Sequence, residues 1–365
     1  MPQLRIPTAV STALQRLPLP GPGPLLPPSS ELIDWPSQLA RPSRIAYFAY
    51  SIDGYDGETT NQEDIFEVSP VTGAIRRITD DRAKPTVISD RDPVWAPSGT
   101  QLAVHRGSEN GPPVRVEIIS RSTGEVVQPL VTGFRPRWLD AHTLLYLNTV
   151  GSDGPTPHDE VFAVERHGLG VTQITDLGPA IRVSSLSWHP SAGLAVDCLE
   201  VATNRFGIAL IPAAAVGSAR APGGSPVTAA GITWLTPPDL NVGEPDWSPN
   251  GDRLALSTWI ADSPGRVGYW TIADASLTLV PGPAPETPTL EDVGAVFSPD
   301  GRSLAFLRGA EDGWTEIWLY RLRDGAMRQL TDEGRQRAKA RLDWGYVRSS
   351  WWQLPWGPIP WWQMG

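Results

Sequence analysis

The chain has 365 residues, with 30 Lys+Arg against 40 Asp+Glu and a formal net charge of −10. That balance argues against a nucleic-acid partner, whose recognition rests on neutralising phosphates. With 38 Pro, 35 Gly and only 19% charged residues, the composition favours many short strands joined by turns over long helices. The one cysteine, Cys198, excludes an internal disulfide and reads as a small buried hydrophobe within GLAVDCLEV. No stretch approaches the ~18–20 apolar residues of a membrane-spanning helix.

Residues 1–43 form a predicted extended tail, with prolines at 18, 20, 22, 24, 27 and 28 and room for one short helix over Arg5–Gln15. Its start is a poor signal peptide, because Gln15-Arg16 and the prolines interrupt the apolar run. The compartment therefore stays open, with a cytoplasmic or peripherally membrane-associated location favoured. Three strands are predicted next, at Ile45–Phe48, Glu63–Val68 and Ile75–Asp80. From there an aromatic, a turn and a short apolar strand recur: PVWAPSGTQLAVH, PRWLDAHTLLYLN, LSWHPSAGLAVDC, PDWSPNGDRLALS and AVFSPDGRSLAFL. The aromatics are Trp95, Trp138, Trp188, Trp247 and Phe297, and with Trp344 they are spaced 43, 50, 59, 50 and 47 residues apart. That period fits one supersecondary unit per repeat.

Each unit explains itself locally. Ser298-Pro299-Asp300-Gly301 is a type I turn sequence, with Pro presetting φ at its second position and Gly at its fourth. Consecutive apolar residues after the turn, such as Leu304-Ala305-Phe306, imply strands covered on both faces. A third strand (EVFAVER, GYWTIA, EIWLYRL) and a short fourth ending in Thr-Asp complete a four-stranded antiparallel blade. The three strands at the head of the chain lack the aromatic first strand, whereas Asp343-Trp344 near the other end begins that motif and stops. The C-terminal segment is therefore predicted to supply the missing strand and close a ring of six blades over residues 44–349. The fold class is all-β, a six-bladed β-propeller.

The W-S-P-D-G-x-x-L-A-F pattern, the E-I-W-L-Y strand and the Q-L-T-D ending resemble the WD40-like repeats of TolB-type six-bladed propellers. Similar repeats occur in the propellers of prolyl-oligopeptidase-like enzymes. The resemblance covers residues 44–348 and is strongest at Ser298–Asp332 and Asp246–Ser257. It implies the fold. A TolB protein also carries an N-terminal α/β domain, whereas 43 Pro-rich residues precede the first strand here, so the Tol–Pal role is not expected to transfer.

Counting back from each aromatic locates candidate axial residues. Three positions earlier stand Asp92, Arg135, Ser185, Glu244, Gly294 and Arg341; one position earlier stand Val94, Arg137, Ser187, Asp246, Val296 and Asp343. Charge on a strand pressed between blades points to water near the axis. One reading is a mixed-charge mouth for a peptide terminus or small anion, with Arg135, Arg137 and Arg341 facing Asp92, Glu244 and Asp246. The other is that these groups cap strand ends or pair across blades. Neither a G-x-S-x-G elbow, nor H-E-x-x-H, nor a phosphate loop is present. No catalytic residue, cofactor or metal is assigned, although His158-Asp159-Glu160 is the nearest approach to a metal cluster. The enzyme alternative is a hydrolase or lyase working at the axial mouth.

The last stretch, WWQLPWGPIPWWQMG, places Trp351, Trp352, Trp356, Trp361 and Trp362 in an uncharged 350–365 tail. Such an apolar segment packs on the propeller, anchors in a protein partner, or rests at a lipid interface, where the nearby Arg335, Arg337, Lys339 and Arg341 would meet anionic headgroups. A protein partner is expected, and peripheral membrane contact is the alternative.

Overall fold

The computed structural model describes residues 42–51, 63–80, 88–107, 114–152, 154–259, 264–282, 291–309, 315–333 and 337–347. Of the predicted tails, residues 1–41 and 350–365 lie outside these residues, whereas Ser43 already belongs to the first strand of blade 1. Six four-stranded antiparallel sheets are arranged as the blades of a propeller. The innermost strands, taken from blade 1 to blade 6, are Arg337–Tyr346, Ser89–Trp95, Phe134–Trp138, Ile181–His189, Val242–Trp247 and Glu291–Phe297. Apolar clusters fill the spaces between blades: Tyr47, Phe66, Leu307 and Leu319 pack blade 1 on blade 6, and Phe48, Ile65, Trp95 and Leu102 pack it on blade 2. Cys198 is fully buried in the cluster between blades 3 and 4, as its sequence context predicts.

Blade 1 is built from both ends of the described chain. Its sheet runs Arg337–Tyr346, Ser43–Ser51, Glu63–Val68, Ile75–Arg77 in spatial order. Trp344 lies directly opposite Ile45, and Asp343 opposite Ala46. The closing strand is also fastened to the next blade. The Trp95 backbone N–H donates to Asp343 Oδ2 at 2.8 Å. Gly345 lies so close to the Trp95 ring that a Cβ there would meet it at 2.5 Å. Trp344 is half-buried and its Nε1 donates to Ser43 Oγ at 3.1 Å.

A repeated hydrogen-bond pattern explains the Thr that follows the fourth-strand segment in four of the blades. Thr331 Oγ1 accepts the Ile317 N–H at 2.9 Å and donates to Glu316. Thr175 does the same for Val161 and Glu160, and Thr79 for Ile65 and Asp64. One hydroxyl thereby satisfies a buried donor and an acid in three blades, the acid being fully buried in blades 1 and 3. In blade 4 Thr236 accepts the Ile208 N–H at 3.0 Å, and glycine (Gly207) replaces the acid.

Blade 4 also accounts for the longest aromatic spacing. A helix over Ala213–Arg220 follows its third strand, and Val227–Thr228 pairs in parallel with Thr175–Asp176 of blade 3 before the two-residue fourth strand Thr233–Trp234. The helix buries Val216 and Ala219, and Arg220 Nη2 donates to Thr143 Oγ1 at 3.0 Å. Two irregular turns keep their function by other means. Asp140 Oδ1 accepts the His142 N–H at 2.7 Å in place of the lost Pro and Gly. In the other, His189 accepts from Ala192 N at Nδ1 and bonds Pro249 O through Nε2, joining blades 4 and 5.

Strand direction makes the two faces unequal. Tight turns such as Ser298–Gly301 (Gly301 N–H to Ser298 O, 2.8 Å) close the inner hairpins on one face. The second strands end and the third strands begin on the other face, with four (201–204) to eleven (52–62) residues between them in sequence.

Two stability predictions follow from this packing. Trp344→Ala should cost about 2–3 kcal/mol by urea unfolding, less than the ~3–5 of a fully buried Trp; a loss below ~1 kcal/mol would remove the closing strand from the cooperative unit. Thr331→Val should cost ~1–3 kcal/mol, because it strands the buried Ile317 N–H.

Candidate functional site: the axial mouth

Every innermost strand carries a β-bulge. The register with the second strand shifts between Arg91 and Val94, Phe134 and Arg137, Val183 and Ser185, Gly243 and Asp246, and Val293 and Val296. In blade 1 it shifts where Tyr47 faces the Arg341–Leu342 step. In five of the six the bulge falls on the residue three before the aromatic, and that residue is left-handed: Asp92 (φ 48°), Arg135 (51°), Glu244 (56°), Gly294 (66°) and Arg341 (49°). A non-glycine residue there costs on the order of 1 kcal/mol, so the strain needs a return. A bulge re-aims the side chain it carries; here the aim is toward the propeller axis.

Asp92, Arg135 and Arg341 line a mouth of about 550 Å³ on the face opposite the tight turns, and Glu244 joins them through Arg341. Arg341 on the closing strand pairs with Glu244 of blade 5 (Nη1–Oε1, 2.7 Å) and reaches Asp92 of blade 2 (Nε–Oδ1, 3.7 Å). Glu244 Oε2 also accepts from Ser257 Oγ at 2.8 Å and from the Gly294 N–H at 3.1 Å. Asp92 Oδ2 lies 3.3 Å from His105 Nδ1. Burial opposes ionisation of Asp92, but the His105 hydrogen bond and the charges of Arg341 and Arg135 outweigh it and hold the carboxyl at about 2. Arg135 donates to Ser184 O. Burial, and then the charge of Arg341, pull its pKa below the ordinary arginine value. An Arg91–Glu63 ion pair stands at the rim.

The residues one before the aromatic are placed differently. Asp343 accepts the Trp95 N–H, Ser187 Oγ the Trp247 N–H at 3.1 Å, and Asp246 Oδ2 the Phe297 N–H at 2.8 Å. Each thus holds the aromatic of the following blade. Burial pushes Asp246 up to about 7, with the charge of Asp343 adding to it and the Phe297 N–H and Arg137 opposing. Asp343 is raised by burial as well. Arg137 lies near both acids, and among the described residues its Nη1 bonds its neighbour's carbonyl, Pro136 O, at 3.2 Å. Ser185 Oγ donates to the buried Asp197 at 3.4 Å, whose Oδ2 also accepts the Glu244 N–H.

Sequence reasoning located Asp92, Arg135, Glu244 and Arg341 but missed His105 and Ser257. Both sit in second strands, opposite or beside the bulges, and the polar ending of LAVHRG and LALST was the available signal. His158 Nε2 is 3.5 Å from Glu160 Oε1, but Glu160 is bound to Thr175, Leu177 N and Gly178 N. Among the described residues no group of three His, Cys, Asp or Glu is placed to hold a metal ion. The five Trp of the C-terminal tail lie outside the described residues. No helix among the described residues is long and apolar enough to cross a membrane.

The architecture is that of a TolB-type six-bladed β-propeller. Among solved structures, TolB from Acinetobacter baumannii is similar at 17% identity and TM-score 0.60, over 83% of this chain and 66% of that one. A putative TolB from Agrobacterium tumefaciens matches at 14% and TM-score 0.50, over 80% and 90%. A Mycobacterium tuberculosis puromycin-hydrolyzing peptidase matches at 14% and TM-score 0.51, over 78% of this chain and 44% of its own. No family model matches the sequence, and no curated protein matches it.

The raised carboxyl of Asp246 has a measurable consequence. Its ordinary value is 3.8 and its folded value about 7, so between those pH values the folded chain keeps a proton the unfolded chain has lost. Stability from this group therefore falls as pH rises from about 4 to about 7 and is level above. Asp246→Asn retains an acceptor for the Phe297 N–H and should flatten that slope, leaving the variant ahead of wild type by on the order of 1–3 kcal/mol at pH 8 relative to pH 4. Urea midpoints at the two pH values check it; equal slopes would refute the shift.

Proposed function

We propose that this chain is a non-catalytic interaction module, a rigid propeller that presents its axial mouth to a protein partner and is anchored in a larger assembly by its Trp-rich C-terminal tail. The observation that carries this reading is the ring of bulges. Three strained positions on three different blades, Asp92, Arg135 and Arg341, turn charged side chains toward one opening, and Glu244 on a fourth blade holds Arg341 from behind. A charged, preformed surface of this kind favours recognition of a polar partner over random association. Trp351, Trp352, Trp356, Trp361 and Trp362 supply the kind of apolar anchors that dominate protein interfaces, with an anionic lipid surface as the competing occupant.

A hydrolase or lyase at the same mouth has one observation in its favour: His105 is held by Asp92, as a general base is held by an orienting carboxylate. The two readings part under two variants. Deleting residues 350–365 should leave the unfolding curve unchanged and abolish co-purification with the cellular partner, whereas His105→Asn should leave co-purification intact. Unchanged co-purification after the deletion would sink the anchor reading, and a hydrolytic or eliminative turnover abolished by His105→Asn would install the enzyme in its place.

A further inference from the structure

Below the mouth the axis narrows to a cavity of about 20 Å³, lined in part by Asp92, Arg135, Arg137, Ser185 and Arg341. That is room for one water-sized group, or for the oxygen end of a larger one. Three guanidinium groups meet a single carboxylate on its wall. Arg341 is engaged with Glu244 and Asp92, and Asp92 with His105. Arg135 and Arg137 are different: the hydrogen bonds of their guanidinium groups go to the carbonyls of Ser184 and Pro136, not to an acid. The Arg137 Nε is buried with no acceptor among the described residues. A buried donor left unsatisfied is costly, and such groups call for an explanation.

We propose that this axial cavity binds the terminal carboxylate of a peptide-like chain that enters through the mouth, with Arg135 and Arg137 as its anion-binding pair. Guanidinium groups match a carboxylate in shape and charge, and charge-assisted pairs are the stronger hydrogen bonds. The cavity is too small for a whole ligand, yet it shares Asp92, Arg135 and Arg341 with the 550 Å³ mouth above it. The ligand is therefore a chain that leads with its anionic end. The mouth's wall sets Glu63, Arg91 and His105 beside Phe48, Tyr50 and Phe134, a mixture that suits a peptide, with its polar backbone and apolar side chains. Of the pair, Arg135 is set in place before a ligand arrives by its left-handed backbone and its bond to Ser184 O, which lowers the ordering cost of binding.

This inference deepens the reading of the mouth as an interaction site, and its test is independent of co-purification. The full chain is titrated calorimetrically with N-acetyl-Ala-Ala-Ala, with its C-terminal amide and with inorganic phosphate. The acid should bind at least ~10-fold more tightly than the amide, the scale of one charge-assisted hydrogen bond. Arg137→Met should remove that preference. Arg135→Asn should weaken it, and keeps a residue that tolerates the left-handed backbone if the first variant fails to fold. Equal binding of acid and amide, or binding of neither, would overturn the proposal. Phosphate binding as tight as that of the peptide acid would overturn the assignment to a chain end. Failure of these titrations leaves partner docking by the tail untouched, and failure of co-purification leaves a carboxylate preference measurable.

Discussion

The pairing of Ser43–Ser51 with Arg337–Tyr346 is the interaction from which the remaining geometry follows. A blade is a sheet covered on both faces by its neighbours, so an open ring would leave two apolar faces and an unpaired edge in water. Supplying one blade from two distant segments closes the ring through backbone hydrogen bonds and the packing on either side. The apolar clusters on either side of blade 1 draw on blades 6 and 2, so both depend on that strand being in place. The axial site depends on it as well. Arg341 comes from the closing strand, and it joins Glu244 of blade 5 to Asp92 of blade 2.

A second constraint acts on top of closure. Six innermost strands converge on one axis, and strands that remained regular would alternate their side chains between the two flanking blades. The bulge breaks that alternation at one position per blade. Where the extra residue is Asp92, Arg135, Glu244 or Arg341, a charged group turns inward, and one step before the aromatic Asp343, Ser187 and Asp246 serve the next blade's backbone. The same short segment thus supplies ring cohesion from one residue and axial chemistry from another two positions away. That division explains why both kinds of reading of these charges had physical merit.

The architecture was legible because each blade repeats its own local code. Trp or Phe, a Pro-Gly turn and a doubly covered strand recur often enough for one incomplete copy, Asp343-Trp344, to point to its complement at Ile45. The candidate site was half legible. Spacing from the aromatic located the charged positions, but a strand's two-residue period has no provision for a bulge, so the sequence could not say which of two adjacent charged columns faced the axis. Blade 4 was the least legible. Ala213–Arg220 is short, and its apolar face is two residues, Val216 and Ala219, too few for a helical period to stand out. His105 lay hidden because its role comes from a partner, Asp92, on a neighbouring strand.

The splitting of blade 1 also fixes an order of events. Ser43 and its partner Tyr346 are separated by nearly the whole propeller, and contacts between such remote positions are the slow ones in folding. As the polypeptide leaves the ribosome, its earliest strands must wait, with one border exposed, until the final β-segment has been made. During that interval the waiting border is a template for the equivalent segment of another nascent molecule, so exchange of the last strand between two copies is the misassembly to which this topology is most susceptible.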